Sequence, residues 1–233
     1  MSEVAARLDW GQIDTVLLDM DGTLLDQNYD NHIWNRMLPR RVAERIHQTP
    51  TPTEAQITAI GEQLFERMRK VYGTLEFYSL TFWAEHTQLD MVALHKEFAH
   101  LVRYRPSAAT FLQRLGQHQM KRVLATNADR RSLAVKQANC DIDSHVDLCI
   151  SSHDYGQPKE SAGFWRSLQR AVGFDPQRTL FIDDNDRVLG SARDYGIAHL
   201  RTITQPDLDR PPRQDLNYPA FNDFAEIMPA PPP

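Results

Sequence analysis

Apolar residues along this chain follow two periods, and the switches between them outline its elements. Val16-Leu17-Leu18 is a short unbroken apolar run, the pattern of a strand buried on both faces of a parallel sheet. Arg122 to Thr126, Val146 to Ile150 and Thr179 to Ile182 read the same way, and Gly196 to Leu200 reads as a last strand. Between them, apolar residues recur at helical spacing: Ala108, Phe111, Leu112 and Leu115, then Phe164, Trp165, Leu168 and Val172, then the stretch Val188 to Tyr195. That periodicity predicts helices, with Ser161 placed to cap the second. Strands alternating with helices predict an α/β fold, a three-layer Rossmann-like core around a parallel sheet.

From about Asp26 to Arg105 the alternation stops and the pattern is helical throughout. Ile57, Ile60, Leu64, Met68 and Val71 form a stripe that Thr53 starts and Gly73 stops. Phe77-Tyr78 through Trp83, and Met91 through Val102, predict two further helices. The segment 26–105 is read as a helical cap inserted into a core made of 1–25 and 106–233, and Arg105-Pro106-Ser107 marks the return to that core. Residues 1–14 read as a loose lead-in with Trp10 against the sheet edge, and Pro229 to Pro233 as a frayed tail.

Composition narrows the class. A hydrophobic fraction of 41% over 233 residues supports a real core. A net charge of −5 gives no general attraction to nucleic acid or anionic lipid, so phosphate recognition must be local. No apolar stretch reaches the length of about 18 residues that a spanning helix needs, and Met1-Ser2-Glu3 starts no signal peptide. The expectation is a cytoplasmic protein that engages neither membrane nor nucleic-acid polymer. Cys140 and Cys149 fit no disulfide framework or zinc spacing and are expected as reduced thiols. His95, His100, His145 and His153 are expected as scattered surface residues.

The chemistry gathers at strand ends. Asp19 and Asp21 follow the first apolar run one residue apart, so an extended backbone puts both on one side before Gly22 turns the chain. Carboxylates this close repel unless a cation lies between them, and oxygen ligands alone suit a hard ion such as Mg²⁺. Leu124-Ala125-Thr126-Asn127 ends the second strand, Gly156-Gln157-Pro158-Lys159 places a lysine just after a turn, and Leu180-Phe181-Ile182-Asp183-Asp184-Asn185 ends another strand in paired acids. These stretches resemble, in order and type, the signature motifs of the haloacid dehalogenase superfamily of phosphohydrolases. The wider run Leu17 to Asp26, with Tyr29-Asp30-Asn31 and Trp34 after it, is similar to the bacterial GMP/IMP 5′-nucleotidases of that superfamily.

That resemblance implies a cap of the C1 type and a Mg²⁺-dependent hydrolysis of phosphate monoesters through an aspartyl-phosphate. Asp19 would be the nucleophile, and Asp21 the acid that protonates the leaving oxygen and then the base that activates water. Asp183 and Asp184 would hold Mg²⁺ with Asp19 and the backbone carbonyl of Asp21, Asp184 being the more direct ligand. Thr126, Asn127 and Lys159 would grip the phosphoryl group. From their position in the chain, Asp30 and Asn31 are expected to face the ribose or base, and Trp34, Tyr78 or Trp83 to stack on a purine. The expected partner is a purine nucleoside monophosphate, and the expected assembly a monomer or weak dimer. Plainer readings compete: Asp183-Asp184 as a solvated helix cap, Lys159 as surface charge, the cap aromatics as core. A phosphatase of sugar phosphates shares every catalytic motif, and a catalytically idle binding module would be expected to have lost one of the acids or Lys159.

Overall fold

The computed structural model describes residues 8–231; the start of the lead-in and the last two prolines of the tail lie outside the described residues. β1 (Thr15–Leu18) lies between β2 (Lys121–Thr126) and β4 (Thr179–Ile182), flanked by β3 (Leu148–Ser151), β5 (His199–Ile203) and β6 (Ala220–Phe221). The sheet order is β3-β2-β1-β4-β5-β6, and every described strand pair is parallel.

The apolar runs are unbroken because both faces are covered. Val16 and Leu18 enter the hydrophobic cluster on one face and Leu17 the cluster on the other; Leu180 and Ile182 likewise oppose Phe181. The first face carries α6 (Ala108–Gln117) and Leu133 of α7 (Arg130–Gln137), the second α8 (Ala162–Val172) and α9 (Asp186–Tyr195). Ser161 caps α8 by accepting from the Gly163 N–H. This is the three-layer parallel α/β architecture that the alternation predicts.

The differences are local. The last long strand runs over 199–203 rather than 196–200, because Gly196 takes φ +108° as the left-handed cap of α9 and the next residues make the turn. β6 is two residues long, too short to leave a pattern. α7 shows no apolar stripe; it starts because the Asp129 carboxylate accepts from the Arg131 and Ser132 N–H groups. Trp10 packs on Phe111 of α6, ring centroids 6.0 Å apart, rather than on the sheet edge. The tail is not frayed as far as it is described: Pro229 is buried, and the Ala230 carbonyl lies 2.7 Å from His118 Nε2.

Between β1 and α6 the chain is helical: α1 (Asn28–His32), a π-helical turn Ile33–Met37, α2 (Leu38–His47), α3 (Glu54–Val71), α4 (Leu80–Thr87) and α5 (Met91–Glu97). Thr53 and Gln56 form a capping box at the start of α3. Ser79 caps α4, so the predicted helix from Phe77 divides into a 3₁₀ turn and α4; α5 likewise ends at Glu97 before a second 3₁₀ turn. These helices bury a cluster of their own that includes Tyr29, Ile33, Leu64, Leu80, Trp83 and Leu94. The chain enters and leaves them side by side: Asp26 N–H donates to the Arg103 carbonyl (3.0 Å) and Arg105 N–H to that of Leu24 (2.9 Å). Among the described residues no helix is long and apolar enough to cross a membrane.

Cys140 and Cys149 are free thiols, both partly buried. His95 departs from its surface expectation. It sits on the inner side of α5, 1% exposed, its Nδ1 3.2 Å from the Tyr29 hydroxyl and its ring edge-on to Trp34. Burial, helped by Lys136, lowers its pKa to about 3. The folded state therefore binds fewer protons than the unfolded chain below the unfolded value of 6.5, and this residue's contribution weakens stability as pH falls from there toward about 3. Between pH 7 and pH 5 the expected loss is about 2 kcal/mol. His95→Gln lacks that titration, so denaturant melts at the two pH values should show the variant gaining about that much on the wild type as pH drops; parallel pH profiles would refute the assignment.

Candidate active site

Open parallel sheets bind ligands at the carboxyl ends of their strands, where β1, β2 and β4 here are followed by the polar residues Asp19, Asn127 and Asp183. Asp19 follows β1, and its N–H donates to the Ile182 carbonyl (2.9 Å), so it stands beside β4. Gly22 turns the chain at φ +79°, and a Cβ there would lie 2.8 Å from Asp184 Oδ2. The turn can pass against the end of β4 only as glycine.

Asp19, Asp183 and Asp184 each bring a carboxylate oxygen within 4.8 Å of the others. Lys159 is the cation among them. Its ammonium, 2% exposed, donates to Asp19 Oδ1, to Asp183 Oδ2 (2.8 Å) and to the Ala125 carbonyl (3.0 Å). Burial opposes the charge of Lys159, but Asp183 and Asp19 outweigh it and hold its pKa above the usual lysine value. Burial pushes Asp183 up to about 7 despite Lys159, and lifts Asp184 well above the ordinary carboxylate range, with repulsion from Asp183 and Asp19 added. Asp183 Oδ1 accepts from Asn185 N–H (2.8 Å), whereas the Asp184 carboxylate accepts no hydrogen bond among the described residues. A crowded set of hard oxygen donors, one without a protein partner, fits a small divalent cation.

Asp21 does not join this cluster. Its Oδ1 lies 2.6 Å from Nζ of Lys136 on α7. The same ammonium donates to both carboxylate oxygens of Asp30, at 3.0 and 2.9 Å, and lies 5.4 Å from the centroid of the Tyr29 ring. Burial first, and Asp30 second, push the Asp21 carboxyl up to about 7 against the pull of Lys136. A carboxyl in that range can both hold and release a proton near neutrality.

Thr126 ends β2 and Asn127 follows it. The Thr126 hydroxyl accepts from Ala128 N–H (3.0 Å). Asn127 Oδ1 accepts from Lys159 N–H (2.9 Å), and its amide donates to Glu160 Oε2 (3.0 Å), whose other oxygen takes the Tyr78 hydroxyl (2.8 Å). Asp30 and Asn31 reach the same cavity but are already engaged, Asp30 by Lys136 and Asn31 by Asp207 (2.7 Å). The cavity, about 640 Å³, is lined by Asp30, Asn31, Thr126, Asn127 and Lys159 together with the aromatic residues Trp34, Tyr72, Phe77, Tyr78 and Trp83.

Comparison with known proteins agrees with this geometry. The family model for haloacid dehalogenase-like hydrolase matches residues 13–196. The chain belongs to the haloacid dehalogenase-like hydrolases. It is 36% identical over 224 residues to the GMP/IMP nucleotidase YrfG of Escherichia coli (strain K12), covering 96% of this chain and 98% of that one, and equally to its counterpart in Shigella flexneri. Its fold is that of a HAD phosphatase from Thermococcus onnurineus, with a TM-score of 0.73 at 15% identity over 92% of this chain and 96% of the other.

Three residues of this hydrolase site leave no mark in the sequence. Lys136 reads as an ordinary helical lysine, and Glu160 as a loop acid. Arg213 donates to the carbonyls of Asp184 (2.6 Å) and Ile203 and to Thr202 Oγ1 (2.8 Å), bracing the loop after β4 from a distant segment. Gly22, by contrast, is legible, and its role is testable. Gly22→Ala forces a strained φ and drives a methyl into Asp184, so hydrolysis of p-nitrophenyl phosphate should fall on the order of 10²-fold with circular dichroism unchanged. An unaltered rate would rule out the close approach as a requirement of the site.

Proposed function

We propose that this hydrolase releases phosphate from purine nucleoside 5′-monophosphates, GMP and IMP foremost, with Mg²⁺ as its ion. The observation that carries the reading is one cavity holding both a lysine-gripped aspartate at a strand end and an aromatic wall of a size to cover a purine. The near full-length GMP/IMP nucleotidase relatives support the same substrate. The division into a core of 1–25 and 106–233 and a cap of 26–105 belongs to this reading, supported by the separate hydrophobic cluster of the helices.

Asp19 attacks phosphorus as the bond to the ribose oxygen breaks, and Asp21 gives its proton to that oxygen. Asp21 then takes a proton from water, whose oxygen attacks the aspartyl-phosphate, freeing Asp19 and inorganic phosphate. Lys159 holds Asp19 in place and places positive charge beside the transferring group, with Thr126 and Asn127 next to it. Asp19, Asp183, Asp184 and the Asp21 carbonyl would hold Mg²⁺, Asp184 most directly since its carboxylate accepts no hydrogen bond among the described residues. Bound there, the ion offsets the repulsion between a dianionic ester and the acids. A sugar phosphate would use the same acids but would leave the aromatic wall without a ring to stack on.

Arg187 lines the cavity with its guanidinium 5.0 Å from the Tyr72 ring centroid and makes no ion pair among the described residues. Its fork suits the two acceptors, O6 and N7, that GMP and IMP share, whereas AMP presents an amino group at that corner.

A panel of GMP, IMP, AMP and sugar phosphates, assayed for released phosphate with Mg²⁺ present, tests the reading; preference for a sugar phosphate would overturn it. Excess EDTA should abolish turnover, and Asp184→Asn should raise the Mg²⁺ concentration needed. Asp19→Asn should be inert, and turnover persisting in that variant would exclude the covalent route. Arg187→Met should narrow the preference for GMP over AMP by about 1–3 kcal/mol in kcat/KM, and an unchanged ratio would move base reading elsewhere in the cavity.

A further inference from the structure

We infer that Lys136 is a positioning residue: it decides which oxygen of Asp21 carries the transferable proton, and Asp30 of α1 holds it in place to do so. The inference rests on the reading of Asp21 as the acid, and it does not depend on the nucleotide substrate.

A carboxyl at the tip of a turn has two chemically equal oxygens and a rotatable side chain, and as a general acid it is useful only if the protonated oxygen is the one aimed at the leaving group. An ammonium has three donors and no acceptor. Asp21 Oδ1, 2.6 Å from the Lys136 ammonium, accepts from it, and Asp30 lies within hydrogen-bond reach of the same carboxyl; an oxygen that accepts from an ammonium is the less basic of the two, which favours Oδ2 as the oxygen for the proton. The lysine is itself fixed. It is 1% exposed, Asp30 engages it with both oxygens, and the Tyr29 ring closes one side. Asp21 and Asp30 are the partners of its ammonium among the described residues, and nothing ties it to the phosphate-gripping set around Lys159. A lysine kept for packing alone would not be buried with its charge intact between two acids on different elements.

When the P–O bond breaks, its electron pair goes to the leaving oxygen, and the Asp21 proton neutralises it. The help is large for a basic leaving group and small for one that departs as a stable anion. Phenyl phosphate and p-nitrophenyl phosphate differ mainly in this respect. For both, kcat/KM ends at loss of the leaving group, so the later attack of water does not enter.

The experiment measures kcat/KM on both esters for the wild type, Lys136→Met and Asp30→Asn, with Mg²⁺ present and thermal melts alongside. Lys136→Met should lose about 100-fold on phenyl phosphate and less than about 10-fold on p-nitrophenyl phosphate, within the range that general-acid help supplies. Asp30→Asn keeps Lys136 but loosens it, and should show the same inequality at smaller size. Equal losses on the two esters, no loss, or a loss confined to KM would overturn the proposal. Should Lys136→Met fail to fold, Asp30→Asn decides by the same comparison. Neither ester contains a base, so a failure of GMP and IMP as substrates would leave this test intact, while activity in Asp19→Asn would remove the mechanism beneath it.

Discussion

Everything at this site depends on repulsion among carboxylates that the sheet itself brings together. β1 and β4 pair in parallel with Leu18 opposite Ile182, so the residues that follow, Asp19 and Asp183, emerge side by side. No rearrangement short of breaking the register separates them. The chain answers with buried ammonium groups: Lys159 between Asp19 and Asp183, and Lys136 between Asp21 and Asp30. Taking one partner from a buried pair leaves a bare charge and costs about 3–5 kcal/mol. The lysines are thus as much a condition of the fold at this edge as of any chemistry there.

The neighbouring loops hold these charges through hydrogen bonds rather than apolar contact. Asn127 fixes the backbone of Lys159, and Glu160 links Asn127 to Tyr78. Asp129 caps α7, which carries Lys136, and also accepts from Leu80 N–H (2.6 Å) at the start of α4. Side chains at the ends of the strands therefore reach the helical segment directly. The strand ends and the helical segment are thus coupled through polar groups, and such groups are costly to leave unpaired when buried.

This division explains what could be read in advance. The first four strands, the order of motifs, and the positions of Asp19, Lys159, Asp183 and Asp184 were legible because each lies in a short stretch whose own pattern marks it, an apolar run or a turn residue followed by a charged group. Lys136 was not, because its meaning comes from Asp30, 106 positions away, and from a helix with almost no apolar stripe to announce it. His95 was misread for a related reason. An imidazole can be buried when a hydroxyl and neighbouring rings accept it, and Tyr29 lies 66 positions distant. Asp30 and Asn31 were correctly placed near the cavity by proximity in the chain, but proximity says nothing about Lys136 and Asp207, which occupy them.

The two lysines also differ in what they join. Lys159 ties together acids that both follow strand ends, Asp19 after β1 and Asp183 after β4, so their spacing follows the sheet register. Lys136 ties an acid of the β1 turn to one on the helical segment, so the position of Asp21 depends on sheet and helices together. The aromatic lining meets the strand ends at Tyr78, which donates to Glu160, the acceptor of the Asn127 amide, so a substitution of Tyr78 reaches the loop of Lys159. Movement of α1 would reach Asp21 through Asp30 and Lys136.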